Sequence, residues 1–355
     1  MFSENILSRN VICNGDVIMT RNILLIALSV VVLSLPLNSQ AEEKIFRLGI
    51  IGLDTSHVIA FTSYINNPKN ETGCKVVVGY PGGSPDVHAS ASRVEKYTNQ
   101  LRDEFGLEIV DTIEELCKKV DGVLLESVDG RPHLKQVKPV IAARKPVFID
   151  KPMAGSLADV LEIFRLAKES DVPCWSSSSL RFSPEVIGMR TNKEVGEVLG
   201  CSIYSPCSIE EHHPDLYWYG VHGVEMLFTI MGPGCGKVTR IHTPGVDVVV
   251  GLWNDRRIGT YRGIRSGKSG YGGIVFGSKQ NKPISKAGGY EYLLRKLAKF
   301  FKTGEVPVSQ QETIEIFAFM SAADESKDRA GAAISLKEII EKAKKHNELR
   351  RSVKQ

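Results

Sequence analysis

The chain has 355 residues, 45 of them Lys or Arg and 41 Asp or Glu, for a net charge of +4. Hydrophobic residues are 42% and charged residues 24%, which excludes wholesale disorder and collagen-like or coiled-coil architectures. So small a charge over this length leaves no nucleic-acid footprint, and the length itself predicts two domains.

The N-terminal segment departs from those averages. Ile23 to Leu37 is apolar except for two serines and a proline; as a helix it would reach about 22 Å, short of the ~30 Å hydrocarbon core. Arg21 precedes the run, and Ser39 and Ala41 place small residues just before a cleavage site. This is the layout of a secretory signal around 19–41, with Met19 a second candidate start. Residues 1–41 read as a targeting segment and the protein as exported and periplasmic, with an uncleaved membrane anchor the weaker alternative. Six cysteines lie beyond the signal, none in a CxxC pair, which argues against a zinc ribbon. Export permits disulfides, and Cys201 and Cys207 could face each other across a turn, but a domain of this size favours buried thiols.

Downstream, strand and helix alternate. Phe46 to Ile51 predicts a strand and Ser56 to Asn66 a helix; Lys75 to Gly79 a strand and Ala89 to Phe105 an amphipathic helix. Asp111-Thr-Ile-Glu114 has the spacing of a capping box opening a helix to Lys119. Strands follow at Gly122 to Leu125 and Pro146 to Ile149, separated by a helix from His133 to Ala143. Ser156 caps a helix to about Ser170, and a strand runs on from Val172. This alternation predicts βαβ units and a parallel sheet covered on both faces. After Pro184 the pattern changes. Gly200 to Gly277 is rich in β-branched residues and glycine, predicting a mainly antiparallel sheet, before helices return at Tyr290 to Phe301, Gln311 to Ala323 and Leu336 to Lys345. The expected segments are a signal at 1–41, a first domain over 42–180, a second over 181–335, and a helix with a basic tail over 336–355.

Gly52 follows the first strand where a dinucleotide-binding turn begins. A full fingerprint reads G-x-G-x-x-G, for the tight turn, the close approach of the pyrophosphate and helix packing. Here the residues are Gly52-Leu53-Asp54-Thr55-Ser56-His57, so only the first glycine is kept, and the acid expected after the second strand is absent from Gly79-Tyr-Pro-Gly-Gly83. Asp150-Lys151-Pro152 ends a strand, which points the lysine into the crevice where such sheets bind ligands. Glu210-Glu-His212-His213-Pro-Asp215 holds adjacent histidines among acids, but neighbours on a strand face opposite ways. The loop reads as a polar rim, with no metal assigned.

Gly52, the Val120–Val123 strand followed by His133, Asp150-Lys151-Pro152, Arg181-Phe-Ser-Pro184, Tyr219-Gly-Val-His222 and Glu315–Ala323 occur in the order and spacing of the Gfo/Idh/MocA oxidoreductases. The chain resembles that family from about Arg47 to Leu336. The resemblance implies an α/β fold: an N-terminal Rossmann doubly wound parallel sheet, then an α/β domain with a large open, mainly antiparallel sheet that mediates homo-oligomers. It implies NAD(P)-dependent oxidation of a sugar, sugar derivative or cyclitol, with NAD or NADP tightly bound. It assigns Lys151 and His222 to catalysis, and Gly52, Leu53, Asp54, Ser127, His133, Asp150 and Lys151 to the cofactor. Arg181, Trp218 and Tyr219 would face the substrate. Trp218 stands where the family has the aspartate that orients the histidine; Glu225 or Asp215 would replace it, and Glu225 joins the catalytic set. Export and the incomplete fingerprint give the alternatives, a non-redox carbohydrate-binding protein or a hydrolase or lyase on the same fold.

The signal reading predicts that the exported protein starts at Glu42. N-terminal sequencing that finds residues before Ile23 on it would overturn this.

Overall fold

A segment such as Phe46–Ile51 is apolar at nearly every position, so it has no face to turn to water and belongs inside a parallel sheet. In the computed structural model, which describes residues 44–353, it is β1 (Phe46–Ile51), flanked on both sides by parallel neighbours. With β2 (Cys74–Tyr80), β3 (Glu108–Ile109), β4 (Gly122–Leu125), β5 (Val147–Asp150) and β6 (Cys174–Ser177) it forms a six-stranded sheet, order β3-β2-β1-β4-β5-β6. The order reverses between β1 and β4, and ligands of open parallel sheets bind above such a switch point.

The covering helices are α1 (Ser56–Ile65), α2 (His88–Ala91), α3 (Val94–Phe105), α4 (Ile113–Lys119), α5 (His133–Ala142) and α6 (Leu157–Glu169). Side-chain oxygens of Thr55, Thr112 and Ser156 accept from His57, Glu115 and Asp159 backbone N–H groups at the starts of α1, α4 and α6, each cap worth about 1 kcal/mol. The capping residue of α4 is therefore Thr112 and not Asp111, one position later than the sequence pattern suggested. The helix expected over 89–105 is broken into α2 and α3, since Arg93 departs from helical geometry between them.

The second sheet runs β12-β11-β7-β10-β9-β8-β13. Its strands are β7 (Val198–Pro206), β8 (Cys235–Thr243), β9 (Val246–Trp253), β10 (Ile258–Ile264), β11 (Gly272–Gly277), β12 (Asn281–Ile284) and β13 (Ile334–Ser335). All pairings are antiparallel except β7 with β10, so the sheet is mixed. The short helices α7 (Pro184–Ile187) and α8 (Asp215–Trp218) lead into α9 (Val221–Met231), every residue of which is buried. Gly223 lets α9 approach the sheet: a Cβ there would stand 2.3 Å from the Tyr261 ring.

The chain then returns to the first domain. α10 (Glu291–Thr303) places Leu293, Leu297 and Phe300 in the core that holds Leu48 and Phe61, and α11 (Gln310–Asp328) packs between α9 and β8. α12 (Leu336–Ser352) lies on α6, where Asn347 donates to the Ala158 carbonyl at 2.7 Å and Arg350 pairs with Asp159. One hydrophobic cluster runs from Ile51 through Tyr217 to Ile339, so the core does not stop at residue 180. All six cysteines of the described residues are free and buried. Cys201 lies within β7 and Cys207 directly after it, so no turn brings them face to face.

Arg240, fully buried on β8, donates to Asp247 at 2.8 Å, Asp324 at 2.6 Å and Asp215 at 2.8 Å. Removing one member of a buried ion cluster leaves the others uncompensated. Arg240→Leu is expected to cost about 3–5 kcal/mol, measured by denaturant unfolding; a loss under about 1 kcal/mol, the range of exposed pairs, would show the cluster to be weakly coupled.

Candidate active site

A cavity of about 510 Å³ opens between the carboxyl ends of the parallel strands and the start of α9, a size suited to a small ligand. Its lining includes Lys151, His57, His222, Arg93, Trp218, Tyr219, Tyr271 and Tyr290; Arg93 and Lys151 bring cations, and none of the lining residues is acidic.

Asp150 ends β5 and is buried beneath this floor. It receives His57 Nδ1 at 2.7 Å, and Lys151 Nζ lies 3.8 Å from the same oxygen. Burial alone would raise this carboxyl, but His57 and Lys151 outweigh burial and hold it down at about 2, so Asp150 carries its charge at neutral pH. Glu126 follows β4 and is fully buried, with no partner on either carboxyl oxygen among the described residues. Burial first, then the charge of Asp150, push it well above the usual carboxylate range. Of two neighbouring buried acids, one is charged and one neutral.

His222 sits in the first turn of α9, with Nδ1 2.7 Å from the Ser178 hydroxyl and Tyr219 and Tyr271 edge-on to its ring. Burial first, then Lys151 and the neighbouring His57, lower it well below the ordinary histidine value, with Asp150 opposing. The ring is therefore neutral at pH 7 and suited to accept a proton.

The other expected partners lie elsewhere. Glu225 is not beside His222: Arg181 Nε donates to it at 2.7 Å, and Arg181 Nη1 to Glu312 at 2.6 Å. That buried triad ties the exit of the first domain to α9 and α11, and it corrects two assignments. Arg181 is locked in the core and does not line the cavity, and Glu225 serves it rather than the histidine. Asp215 is bound by Arg240 and Lys327. The residue that meets His222 is Ser178, for which nothing in the sequence pattern speaks. Trp218 and Tyr219 do line the cavity, as does Lys151. The loop at 210–215 separates its histidines: His212 bonds Glu210 at 2.6 Å, while His213 turns inward to Asp129 at 3.0 Å. Glu210, Glu211 and His212 bring three ligand atoms within 4.8 Å of one another, away from His222.

The residues expected to hold the dinucleotide test whether one fits. Gly52 keeps the turn, with φ of 86° and no room for a Cβ against Ser127. Its N–H and that of Leu53 are already given to the Tyr80 and Pro81 carbonyls, so the segment after β2 lies over the turn. Asp54 takes the Val128 N–H at 2.8 Å and the Ser90 hydroxyl at 2.5 Å, fastening loops on either side of the crevice to each other. Ser127 bonds Gln136, and His133 bridges the Ser127 and Met153 carbonyls inside the core. Of the seven residues assigned to the cofactor, only Lys151 lines the cavity. Gly52, Leu53 and Asp54 thus turn their polar groups to partners within the chain, whereas Thr55, Ser56 and His57, at the start of α1, line the cavity.

Residues 46–178 match the GFO_IDH_MocA family, described as an oxidoreductase family with an NAD-binding Rossmann fold. Among curated proteins, none matches the sequence at a significant level. Similar solved structures include apo scyllo-inositol dehydrogenase from Lactobacillus casei, with TM-score 0.70 and 13% identity over 83% of this chain and 99% of that one. Another is an oxidoreductase from Agrobacterium radiobacter in complex with NAD+, L-tartaric acid and magnesium, with TM-score 0.66 and 15% identity over 83% and 99% of the two chains. A third is an oxidoreductase from Thermotoga maritima, with TM-score 0.65 and 16% identity over 83% and 99%. At these identities the likeness is one of fold.

His222 gives the protein a pH dependence of known sign. Because its folded value is lowered, the unfolded chain binds the extra proton, and stability falls as pH drops below the ordinary histidine value of about 6.5. His222→Gln is expected to flatten the midpoint temperature between pH 7 and pH 5; an unchanged slope would show that the ring is charged in the folded state.

Proposed function

We propose that this chain, whose residues 46–178 match the Gfo/Idh/MocA oxidoreductase family, is an enzyme that acts on a sugar, sugar derivative or cyclitol held between Lys151 and His222. The observation that carries this reading is the cavity itself, which sets an ammonium and a neutral imidazole at the carboxyl ends of the strands, beside Trp218, Tyr219, Tyr271 and Tyr290. Aromatic faces and phenolic hydroxyls suit a ring that carries hydroxyls on its rim. The Lactobacillus casei and Agrobacterium radiobacter structures, a cyclitol dehydrogenase and a tartaric-acid complex, support a polyhydroxylated ligand here. Lys151 orients a substrate hydroxyl with its ammonium. His222 Nε2, which no described residue bonds, takes the proton from it.

A nicotinamide would accept the hydride in the family's chemistry, but no step is derived through it: Gly52, Leu53 and Asp54 turn their polar groups to partners within the chain. That loss of free groups at the turn favours the second reading, redox-neutral binding, hydrolysis or elimination in the same crevice. The signal sequence adds the proposal that the protein works after export. Homo-oligomers through the second sheet are supported by Leu252, Ile258 and Phe276, which are exposed and share one register row across β9, β10, β7 and β11, with Gly200 of β7 between the last two.

The test is thermal unfolding with myo-inositol, D-glucose, D-gluconate and L-tartrate, each with and without NAD+ or NADP+. A ligand of the cavity at a hundred times its dissociation constant adds about 2.7 kcal/mol, and Lys151→Ala should abolish the gain. No shift with any of the four would refute the polyol reading. A shift without nicotinamide, and no nicotinamide reduced on turnover, would select the redox-neutral one.

A further inference from the structure

We propose that His57, with Asp150 behind it, is a second proton-transfer residue of this cavity, acting alongside His222. The inference rests on the reading that a small ligand occupies the crevice. His57 stands at the third position of the glycine fingerprint, where a bare backbone normally lets helix meet strand. Here the ring fills that space and is held on three sides. Phe61 stacks on it with centroids 5.2 Å apart and planes 10° apart, Tyr290 meets it edge-on at 4.9 Å, and Asp150 bonds Nδ1 at 2.7 Å.

The ring lines the cavity, and no described residue bonds Nε2. A carboxylate on one ring nitrogen fixes the proton there, leaves the lone pair on the other and steadies the imidazolium once it forms. His222 lacks this arrangement, since its Nδ1 meets only the Ser178 hydroxyl. Two histidines so differently supported, facing one space, suit the complementary tasks of proton transfer. The balance is simple. A proton leaving a substrate hydroxyl goes to Nε2 of His57, the cation so formed faces the Asp150 carboxylate, and the proton returns to product or water. Only protons move on this residue, so the step needs no electron acceptor.

A purely structural histidine would also satisfy the buried carboxylate, and reactivity at Nε2 separates the two roles. The protein is treated with bromoacetate at pH 7 and mapped by peptide mass spectrometry. Carboxymethylation of His57 is expected well ahead of the buried His133, and Asp150→Asn should slow it about tenfold or more by removing the tautomer control. His57 modified no faster than His133, or a rate unchanged in Asp150→Asn, overturns the proposal. Should that variant fail to fold, the wild-type ratio of His57 to His133 decides alone. Failure of the polyol reading looks different: none of the sugars or cyclitols protects His57, yet it stays reactive and dependent on Asp150.

Discussion

A charged carboxylate cannot be buried in protein without partners, and Asp150 is buried at the end of a central strand. Its pairing with His57 and Lys151 is the constraint around which the cavity is arranged. The contact pins the first turn of α1 against the end of β5 and leaves Lys151 and the His57 ring along one wall of the crevice. Burial first, and then the charge of Asp150, keep its neighbour Glu126 in the neutral form. Taking away Asp150 would therefore also act on the ionisation of Glu126 and His222.

Charge pairing elsewhere in the molecule has a scaffolding role. Arg181 and Arg240 each gather carboxylates from distant parts of the chain, Glu225 and Glu312 for the first, Asp215, Asp247 and Asp324 for the second. The first ties the turn after β6 to α9 and α11, the second ties β8 and β9 to α8 and α11, and neither opens on the cavity. The residues with chemistry to offer are those whose ring nitrogens or ammonium groups are left facing space: Lys151, His57 and His222. The fold is that of the similar oxidoreductase structures, while Gly52, Leu53 and Asp54 of the turn are bonded within the chain.

Five of the six strands of the first domain were legible because buried parallel strands are continuous apolar runs, whereas the two-residue edge strand β3 gave no such run. Gly122–Leu125 was expected with the bounds it has, and Ser156 caps α6 as its pattern required. Errors came where one residue decides local geometry, as at Arg93, which breaks a helix, or Thr112, which caps in place of Asp111. In the site, Lys151, His222, Trp218 and Tyr219 were found from motif order, and all four line the cavity. Arg181 and Glu225 were misassigned, because a charged residue in a motif looks the same whether it binds a ligand or an internal partner 44 positions away.

The sequence by itself determined the alternation of strand and helix, the loss of two fingerprint glycines and the position of the lysine at a strand end. These follow from periodicity and residue type, which are local. Only the tertiary structure decided which ionisable groups meet. Asp150 and His57 are 93 positions apart, and Ser178 and His222 are 44 apart. Such pairs form because strands far apart in the chain end at the same crevice, and burial there forces each polar group to find a partner. The acid–base character of the crevice is thus a property of the packed sheet and not of any motif in the chain.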